Sequence, residues 1–364
     1  MTSAVPAGHQ PVGPLPAGRP PTGRLAAVAQ QAEVSEATVS RVLNGKSGVA
    51  DATRQRVLAA LDVLGYERPV RLRRRSAGLV GLVIPELTNP IFPAFAQVIE
   101  QALSGYGYTP VLGTQMPGGA TEDELVEMLV ERGVSGIIFL SGLHADLSAD
   151  PERYLRLAGR GVPYVLVNGY NERISAPFVS PDDRAAAHIA VRHLRELGHE
   201  RIGLAVGPAR FVPARRKAEG FAEALGDAAG GAGGAGGAGG AESMVQHTLF
   251  TVEGGHAAAG ALLDRGCTGI VCGSDLMALG AVRAARQRGL DVPRDVSVVG
   301  YDDSELNAFT DPPLTTVRQP VRAMANAAVH ALLEETGQDP VRHAEFVFQP
   351  ELVVRGSTGQ APPS

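Results

Sequence analysis

The chain has 364 residues and a formal net charge of −5 at pH 7, with 44% hydrophobic and 5% aromatic residues. This composition is typical of a soluble α/β protein and excludes a disordered chain. The sequence contains no run of about 18 apolar residues, which a membrane-spanning helix would need. Length alone allows either a small module joined to a two-lobed body or one large enzyme.

The N-terminal residues 1–23 are rich in Pro, Gly and Ala, a composition that predicts a flexible tail because proline breaks helices. They lack the apolar core of roughly 7 to 15 residues that marks a secretory signal. We therefore expect a cytoplasmic protein without a membrane partner.

Apolar residues recur at helical spacing in three short pieces over residues 24–66, which predicts a small three-helix domain. The first helix should end near Ala32, and the second should follow an N-cap at Ser35, with Glu33 and Val34 in the turn between them. This is the spacing of a helix-turn-helix unit, whose second helix enters the major groove of DNA.

Three side chains on the second helix are candidates to read base edges. Arg41 can make a paired contact to guanine, Glu36 can accept from cytosine, and Ala37 offers a methyl group to thymine. Nearby hydroxyl and amide groups suit phosphate contacts; they are Ser35, Thr38, Ser40, Asn44 and Thr53. Each could singly be ordinary solvated surface, so the prediction depends on their ordered combination.

The linker at residues 67–78 carries five arginines around one proline and one leucine. Composition alone allows a solvated linker, and the alternative is a basic hinge that follows the minor groove or phosphates. The hinge interpretation assigns DNA contacts to Arg71, Leu72, Arg73, Arg74 and Arg75. From Arg24 to Arg75, ten basic residues face five acidic ones, so this part carries a charge of about +5 although the whole chain is acidic.

After Gly78, short β-branched or leucine-rich runs alternate with amphipathic helices, which predicts parallel sheets built from βαβ units. Two series of strands favour two lobes over one sheet. The candidate strands are 79–84, 110–113, 136–140 and 164–167 in the first series, and 202–206, 243–248, 269–272, 296–301 and 345–348 in the second. Residues 228–241 are almost pure Gly and Ala, which predicts a disordered surface loop.

Polar residues that directly follow strands should face a ligand cleft, because open parallel sheets place ligands at the carboxyl ends of their strands. Asn89 and Phe92 follow the first strand, and Asn168, Asp275 and Asp302 follow later ones. Carboxylates and amides recognise sugar hydroxyls, and aromatic rings pack on the apolar faces of sugars. Two alternatives stay open: Asp275 could cap the next helix, and Asp302 could be a turn residue.

Several motifs follow one another along the chain. They are VSEATVSRVLN at 34–44, LGY at 64–66, NPIF at 89–92, LGHERIG at 197–203, SDLMALGA at 274–281, VSVVGYDD at 296–303 and DPPLTTVRQP at 311–320. In this content and order the chain resembles the lactose-repressor (LacI/GalR) family of bacterial regulators. The resemblance extends over nearly everything from Arg24 to Gly356.

The resemblance implies an α+β multidomain protein: a helix-turn-helix headpiece followed by a two-lobed, periplasmic-binding-protein-like α/β sensor domain at 79–356. It also implies a homodimer that reads a pseudo-palindromic operator, acts as a repressor, and binds a sugar-like effector between the lobes. Our expected lobes are 79–180 plus 304–317 and 181–303 plus 318–356, with a flexible tail at 357–364.

The resemblance also matches Phe211, Lys217 and Phe250 to positions that line the cleft. Lys217 stands where many members place an effector-binding arginine. A compact ammonium group therefore replaces a planar guanidinium with several N–H donors, and the effector could differ accordingly. Gln319 could contact either the effector or the crossover between the lobes.

The chain departs from the family pattern in two places. Ala27 and Glu33 stand where the family usually has Asp and Gly, and because that Gly relieves backbone strain, we expect a slightly less stable headpiece. The linker looks about three residues shorter than in the family, where a leucine from a hinge helix wedges into the minor groove. Leu72 is the only candidate wedge, and its offset from Pro69 does not match.

Two other functions remain to be weighed. An exported sugar-binding protein would share the two lobes but would need a signal peptide and no headpiece. An enzyme would need a catalytic constellation, yet the sequence has no Gly-rich phosphate loop, nucleophile elbow or metal-ligand cluster. Cys267 and Cys272 have no histidine at zinc spacing. His188, His193 and His199 fall near one another, but the resemblance places His193 and His199 in a helix-to-strand segment typical of the family. We therefore predict no cofactor, no metal and no enzymatic activity.

Overall fold

The structure, a computed structural model, describes residues 22–44, 46, 48–66, 77–115, 118–229, 242–337 and 343–363. These residues fall into two units, which divide between Arg75 and Ser76. The predicted tail up to residue 21, the Gly/Ala segment from residue 230 to 241, and the hinge candidates lie outside the described residues. Those hinge candidates are Arg71, Leu72, Arg73, Arg74 and Arg75.

Three helices form the first unit, the headpiece, around one small apolar core. They are α1 (Thr22–Gln31), α2 (Glu36–Leu43) and α3 (Asp51–Val63). Each helix contributes buried side chains to this core, including Val28 from α1, Val39 and Val42 from α2, and Val57 from α3. The helices lie where the apolar periodicity predicts them, since only a three- to four-residue repeat brings these side chains onto one face of each helix.

The turn between α1 and α2 holds its residue Glu33 in the left-handed region, with φ of 53°. An L-residue in that region loses roughly 1–2 kcal/mol relative to its preferred conformations, whereas glycine does not. This strain is the cost that the sequence predicts for a glutamate at this position.

Replacing this residue with glycine, Glu33→Gly, is therefore expected to stabilise the headpiece by roughly 0.5–1 kcal/mol, the strain relieved minus the entropy that glycine adds to the unfolded chain. The measurement is hydrogen exchange of the α1 and α2 amides in the full chain, which should slow. Ala26→Gly, at an exposed position inside α1, is the matched control and should instead accelerate exchange by costing about 1 kcal/mol. Equal effects of the two glycines would contradict the strain argument.

The second unit, the sensor domain, contains two six-stranded sheets. The first sheet has the order β11-β5-β4-β3-β1-β2, with every neighbouring pair parallel. Its strands are β1 (Gly78–Ile84), β2 (Tyr108–Thr114), β3 (Gly136–Leu140), β4 (Tyr164–Val167), β5 (Phe178–Pro181) and β11 (Glu345–Phe348). Its helices are α4 (Ile91–Gly105), α5 (Glu122–Glu131), α6 (Glu152–Gly159) and α11 (Val321–Glu335).

The second sheet has the order β12-β10-β9-β8-β6-β7, parallel except for the edge strand β12. Its strands are β6 (Ile202–Val206), β7 (Val245–His247), β8 (Gly269–Cys272), β9 (Ser297–Asp302), β10 (Thr315–Arg318) and β12 (Glu351–Val353). Its helices are α7 (Asp183–Glu196), α8 (Val212–Ala229), α9 (Val252–Asp264) and α10 (Asp275–Gln287). The inner strands β1, β3, β4, β6, β8 and β9 are almost entirely buried, as expected where helices cover both faces of a parallel sheet.

The chain passes between the two lobes at three places: between β5 and α7, between β10 and α11, and between β11 and β12. Our expected lobe boundaries at 304–317 and 318–356 are therefore wrong. Strand β10 pairs with β9 and belongs to the second lobe, whereas α11 packs in the core of the first lobe and β11 extends its sheet beside β5. Sheet membership depends on pairing between distant segments, which a strand's own sequence does not encode.

The C-terminal residues pack on the second lobe, so the expectation of a flexible tail at 357–364 is wrong for the described residues up to 363. Ser357 is fully buried, and its Oγ accepts a hydrogen bond of 2.8 Å from the backbone N–H of Thr315. The backbone N–H of Ala361 donates to the carbonyl of Leu197 at 2.8 Å. These contacts hold the C-terminal segment in place, because releasing it would break hydrogen bonds of buried polar groups and lower the stability of the fold.

Two of the three clustered histidines contact this C-terminal segment rather than each other. Nε2 of His193 lies 3.0 Å from Oγ1 of Thr358, and Nε2 of His199 lies 3.1 Å from the carbonyl of Gly359. His188 bonds instead to the carbonyl of Arg184 within its own helix. Within the part of the chain that is described, no helix is long and apolar enough to cross a bilayer, and no cluster of three or more His, Cys, Asp or Glu could hold a metal.

Candidate DNA-reading helix and effector cleft

The helix α2 presents its candidate base-reading residues on one exposed side. Glu36, Ala37 and Arg41 are exposed, while Val39 and Val42 on the opposite side are fully buried in the headpiece core. Sequence positions 36, 37 and 41 share one arc of a 3.6-residue helix, so burial of the valines fixes the outward direction of the guanidinium. The headpiece thus offers a guanidinium, a carboxylate and a methyl group together.

The candidate phosphate-contacting groups lie at the two ends of α2 and at the start of α3. Ser35 caps α2: its Oγ accepts from the backbone N–H of Thr38 at 3.2 Å and lies 2.9 Å from the Thr38 hydroxyl. At the other end, Nδ2 of Asn44 donates to Oγ of Ser40 at 3.2 Å. Thr53 is half-buried in the first turn of α3. The cap explains why α2 begins where it does.

A cavity of about 190 Å³ opens between the lobes of the sensor domain. It lies where β1, β3, β4, β6, β8 and β9 end, as expected for parallel sheets that face each other. Eight of the nine predicted effector residues line it, namely Asn89, Phe92, Asn168, Phe211, Lys217, Phe250, Asp302 and Gln319.

The cleft floor contains a carboxylate and an amide at the crossover. Asp302 is 6% exposed and has φ of 115°, and its Oδ1 accepts a hydrogen bond of 2.7 Å from Nε2 of Gln319. Burial, reinforced by repulsion from Asp275, holds the pKa of the Asp302 carboxyl well above its usual range. Oε1 of Gln319 is buried and has no hydrogen-bond partner among the described residues. Each side chain therefore has an oxygen outside their mutual bond that can accept a hydrogen bond from a ligand.

Lys217 lies beside this floor in a buried cluster with two residues that the sequence analysis did not predict. Its Nζ contacts the carboxylate of Asp183 and lies 3.8 Å from the ring centre of Tyr301, whose hydroxyl donates to Oδ1 of Asp183 at 3.1 Å. Burial raises the pKa of Asp183 even though Lys217 opposes that shift. Asp183 is the second residue after β5. Polar residues that follow strands were predicted to face the cleft, so Asp183 would have been a candidate if β5 had been predicted.

Asp275 does not line the cleft, so that part of the prediction is wrong. Its Oδ2 accepts from the backbone N–H and the hydroxyl of Ser304 at 2.8 and 2.9 Å, and its Oδ1 accepts from Oγ1 of Thr316 at 2.7 Å. Nor is it the helix cap, because Ser274 accepts from the N–H of Met277 in that role. The carboxylate instead ties the loop after β9 to β10.

Aromatic rings form the apolar walls of the cleft. Phe92 comes from the first lobe, and Phe211 and Phe250 come from the second. The Phe250 ring presses on the backbone at Gly207, where any Cβ would collide with it. The guanidinium of Arg210 lies 4.7 Å from the centre of the Phe211 ring. Rings beside amides and carboxylates are the combination that binds sugars, which have apolar faces and polar edges.

Comparison with known proteins addresses both units. Residues 24–68 match the lacI family of bacterial regulatory proteins, and residues 191–358 match the periplasmic binding protein-like domain. An uncharacterized HTH-type transcriptional regulator encoded in the aml 5′ region of Streptomyces limosus is 74% identical over 92% of this chain and 94% of its own length. The chain belongs to the LacI family. It is a DNA-binding transcriptional regulator, and its relatives are regulators rather than enzymes.

Solved structures of LacI-family regulators share both the headpiece and the sensor fold. A complex of the transcriptional regulator CelR with cellobiose is 34% identical, with a TM-score of 0.66 over 93% of this chain and all of that one. The lac repressor dimer bound to operator and the anti-inducer ONPF is 27% identical, with a TM-score of 0.64 over 91% of this chain and 98% of that one. The predicted fold class is confirmed.

The two lobes of this LacI-family regulator touch at the mouth of the cleft. Oδ2 of Asp146, in the first lobe, accepts a hydrogen bond of 2.8 Å from Nε of Arg210 in the second. Beside this ion pair, the backbone N–H of Leu147 donates to the carbonyl of Arg210 at 2.8 Å. Arg210 precedes Phe211, so this contact between the lobes lies next to a wall of the cleft.

Buried groups of the first lobe hold the loop that carries Asp146. The backbone N–H of Leu143 donates to Oε2 of Glu122 at 3.0 Å, and that of His144 donates to the Tyr154 hydroxyl at 2.9 Å. The His144 ring is fully buried, with Nε2 3.1 Å from the carbonyl of Val167. Burial lowers the pKa of His144 to about 3.

A histidine kept neutral by burial makes stability depend on pH. The unfolded chain protonates His144 near pH 6.5, whereas the folded one does so only near pH 3, so the free energy of unfolding should fall as the pH drops below about 6.5. This residue alone contributes a slope of up to about 1.4 kcal/mol per pH unit. Urea unfolding at pH 7, 6 and 5 measures the total slope.

The variant His144→Gln isolates this contribution and should have a shallower slope than the wild type. His330→Gln, which changes an exposed histidine, is the control and should keep the wild-type slope. The assignment is wrong if His144→Gln and the wild type lose stability in parallel between pH 7 and 5.

Proposed function

We propose that this LacI-family regulator represses transcription as a homodimer bound to a pseudo-palindromic operator, and that a sugar in the inter-lobe cleft sets its operator affinity. The observation that carries this proposal is the combination, in one chain, of an outward-facing α2 with a cleft that gathers eight predicted polar and aromatic residues.

DNA recognition is assigned to α2. Arg41 contacts a guanine, Glu36 and Ala37 contact neighbouring bases, and the polar groups at the helix ends bind phosphates and set its register. The arginines at 71–75, which lie outside the described residues, add phosphate or minor-groove contacts. Their charge makes operator affinity fall steeply with salt, because each neutralised phosphate releases counterions.

A sugar is the effector class that the cleft chemistry favours. Side-chain amides of Asn89 and Asn168 and the carboxylate of Asp302 can pair with hydroxyl groups, while Phe211 and Phe250 can pack against the ring. The CelR structure, which contains cellobiose, supports this class.

Dimerisation supplies the two headpieces that a pseudo-palindromic site requires. Leu306 and Phe309 are 69% and 84% exposed after β9, close to a surface depression lined by Leu279 and Val282 of α10 and by Thr310. The same depression also presents Arg283 and Arg286, and exposed apolar side chains rimmed by such polar groups are typical of a protein interface. The lac repressor structure is a dimer on its operator, which supports the same assembly here.

Control by the effector requires only that the sugar bind the closed and open arrangements of the lobes with different affinity. Closure is read out at the cleft mouth, where Asp146 and Arg210 join the lobes, and it changes the spacing of the two headpieces in the dimer. Coupling of this kind is typically about 1–3 kcal/mol, or about 5- to 150-fold in operator affinity.

Operator titrations of the full chain with and without sugars test the proposal. A panel of mono- and disaccharides that includes cellobiose should contain a member that shifts the operator dissociation constant at least about fivefold. Sedimentation should give two chains per operator. Binding by single chains, or operator affinity unmoved by every sugar of the panel, would contradict it.

A further inference from the structure

The charged groups that line the cleft are mostly acidic. Among the described lining residues, Glu86 and Asp302 carry carboxylates and Lys217 is the only basic side chain. Asp183 lies directly behind Lys217 in the same buried cluster. Carboxyl groups therefore outnumber the one ammonium group around the cleft, which is an unusual surrounding for an anionic ligand.

The single ammonium group is already paired. Lys217 is 5% exposed, Asp183 is 2% exposed, and the Nζ contacts both the carboxylate and the face of the Tyr301 ring. A phosphate or carboxylate that approached Lys217 would compete with Asp183 and would bring a second negative charge beside it. In a buried site such like-charge repulsion is only weakly screened. Lys217 can still donate a hydrogen bond to a neutral oxygen without losing its pair.

The cleft floor presents hydrogen-bond acceptors, so a ligand that pairs with them must supply the donors. Oε1 of Gln319 is buried without a partner among the described residues, on a side chain only 5% exposed, and the neighbouring Asp302 carboxylate accepts a single described bond. Buried acceptors left unpaired are costly, so the preferred ligand supplies hydroxyl protons to them. A sugar hydroxyl can do so, whereas a phosphate dianion has no proton to donate.

We propose that the cleft selects uncharged, polyhydroxylated ligands and rejects phosphorylated or acidic ones, and that Asp183 is the positioning residue that enforces this selection by neutralising Lys217. This inference rests on the proposed function, because it specifies the class of effector for that same cleft. It also gives a physical role to the lysine that stands where the resemblance places an arginine in many family members. One carboxylate can cover a compact ammonium group, whereas a guanidinium has further N–H groups that remain available to an anion.

Calorimetric titration of the full chain tests the selection with matched pairs of probes. The pairs are glucose with glucose 6-phosphate, and ribose with ribose 5-phosphate, alongside cellobiose and maltose as neutral disaccharides. A neutral sugar should bind, and phosphorylated partners should bind at least about 100-fold more weakly than the neutral sugars, or not at all. A phosphorylated sugar that binds the wild type as tightly as its neutral partner would overturn the inference while leaving a sugar-controlled regulator intact.

The variant Asp183→Asn tests the role of the carboxylate, since it keeps the size of the side chain and frees the charge of Lys217. In this variant the ratio of the dissociation constants of the phosphorylated and neutral probes should fall at least about tenfold. In the double variant Asp183→Asn with Lys217→Gln, which removes both charges, the preference should return toward that of the wild type. An unchanged preference in Asp183→Asn would overturn the assignment to Asp183, and if that variant does not fold, the wild-type titrations and the double variant still decide the inference.

Operator titrations with the same probes separate the two levels of failure. If no probe of either charge binds the chain or shifts its operator affinity, the proposed sugar control fails and the charge selection fails with it. If a phosphorylated probe shifts operator affinity and the neutral probes do not, only the charge selection fails.

Discussion

Asp302→Ala is expected to abolish the response to the effector while leaving operator binding without effector within about twofold of the wild type. The carboxylate lies on the cleft floor, 6% exposed, and its removal takes away an acceptor for ligand hydroxyls and the partner of Gln319. Removing the hydrogen-bond partner of a buried ligand hydroxyl costs about 1–3 kcal/mol, so effector binding should weaken by about 5- to 150-fold. Operator affinity should remain because the headpiece residues are unchanged.

The matched control is Asp275→Asn, which alters a buried carboxylate of the same lobe that does not line the cleft. Its hydrogen bonds to Ser304 and Thr316 are structural, so this variant should lower the melting temperature. It relieves the repulsion on Asp302 but leaves that carboxyl group in the cleft, so the effector response should be kept. The measurement is the operator dissociation constant of each variant with and without a sugar that shifts the wild type. An Asp302→Ala protein that retains the wild-type shift would remove this residue from the effector site.

The contrast between these two aspartates shows where sequence reasoning succeeds and where it stops. Asp302 directly follows the predicted strand 296–301, and Asp275 comes three residues after the predicted strand 269–272. Their positions relative to these strands therefore made both of them candidates for the cleft. Asp302 reaches the cleft because its own backbone turns there, with φ of 115°. Asp275 is drawn away by hydrogen bonds to residues 29 and 41 positions further along the chain, and such partners are invisible to a local pattern.

Short strands that lack an apolar run set a second limit. The four-residue strands β4 (YVLV) and β8 (GIVC) carry a clear apolar run and were predicted, whereas β5 (FVSP), β10 (TTVR) and β12 (ELV) mix polar residues or proline into a short segment and were not predicted. Missing β5 also hid Asp183, which follows it. The headpiece was predictable because its determinants are local: the Ser35 cap and the apolar repeat of α2 lie within nine consecutive residues.

Arg41→Ala is expected to cost about 1–3 kcal/mol, or about 5- to 150-fold, in discrimination between the operator and a sequence changed at one base pair. The reason is geometric. The Val39 and Val42 side chains of α2 are fully buried, which points the guanidinium away from the headpiece, where its two donors can pair with the acceptors of one guanine. Binding to scrambled DNA depends mainly on phosphate contacts and should change far less.

Arg56→Ala removes the same charge from an exposed position on α3 and serves as the control. Any electrostatic loss that it causes should be equal on operator and scrambled DNA, because a charge near phosphates carries no base information. Gel-shift titrations of both variants on both DNAs give the two ratios. If Arg41→Ala weakened binding to operator and scrambled DNA by the same factor, its guanidinium would be a phosphate contact, and α2 would need another residue to read the base. Glu36 would then be the next candidate, since its exposed carboxylate is the other group on this side of the helix that can discriminate between bases by hydrogen bonding.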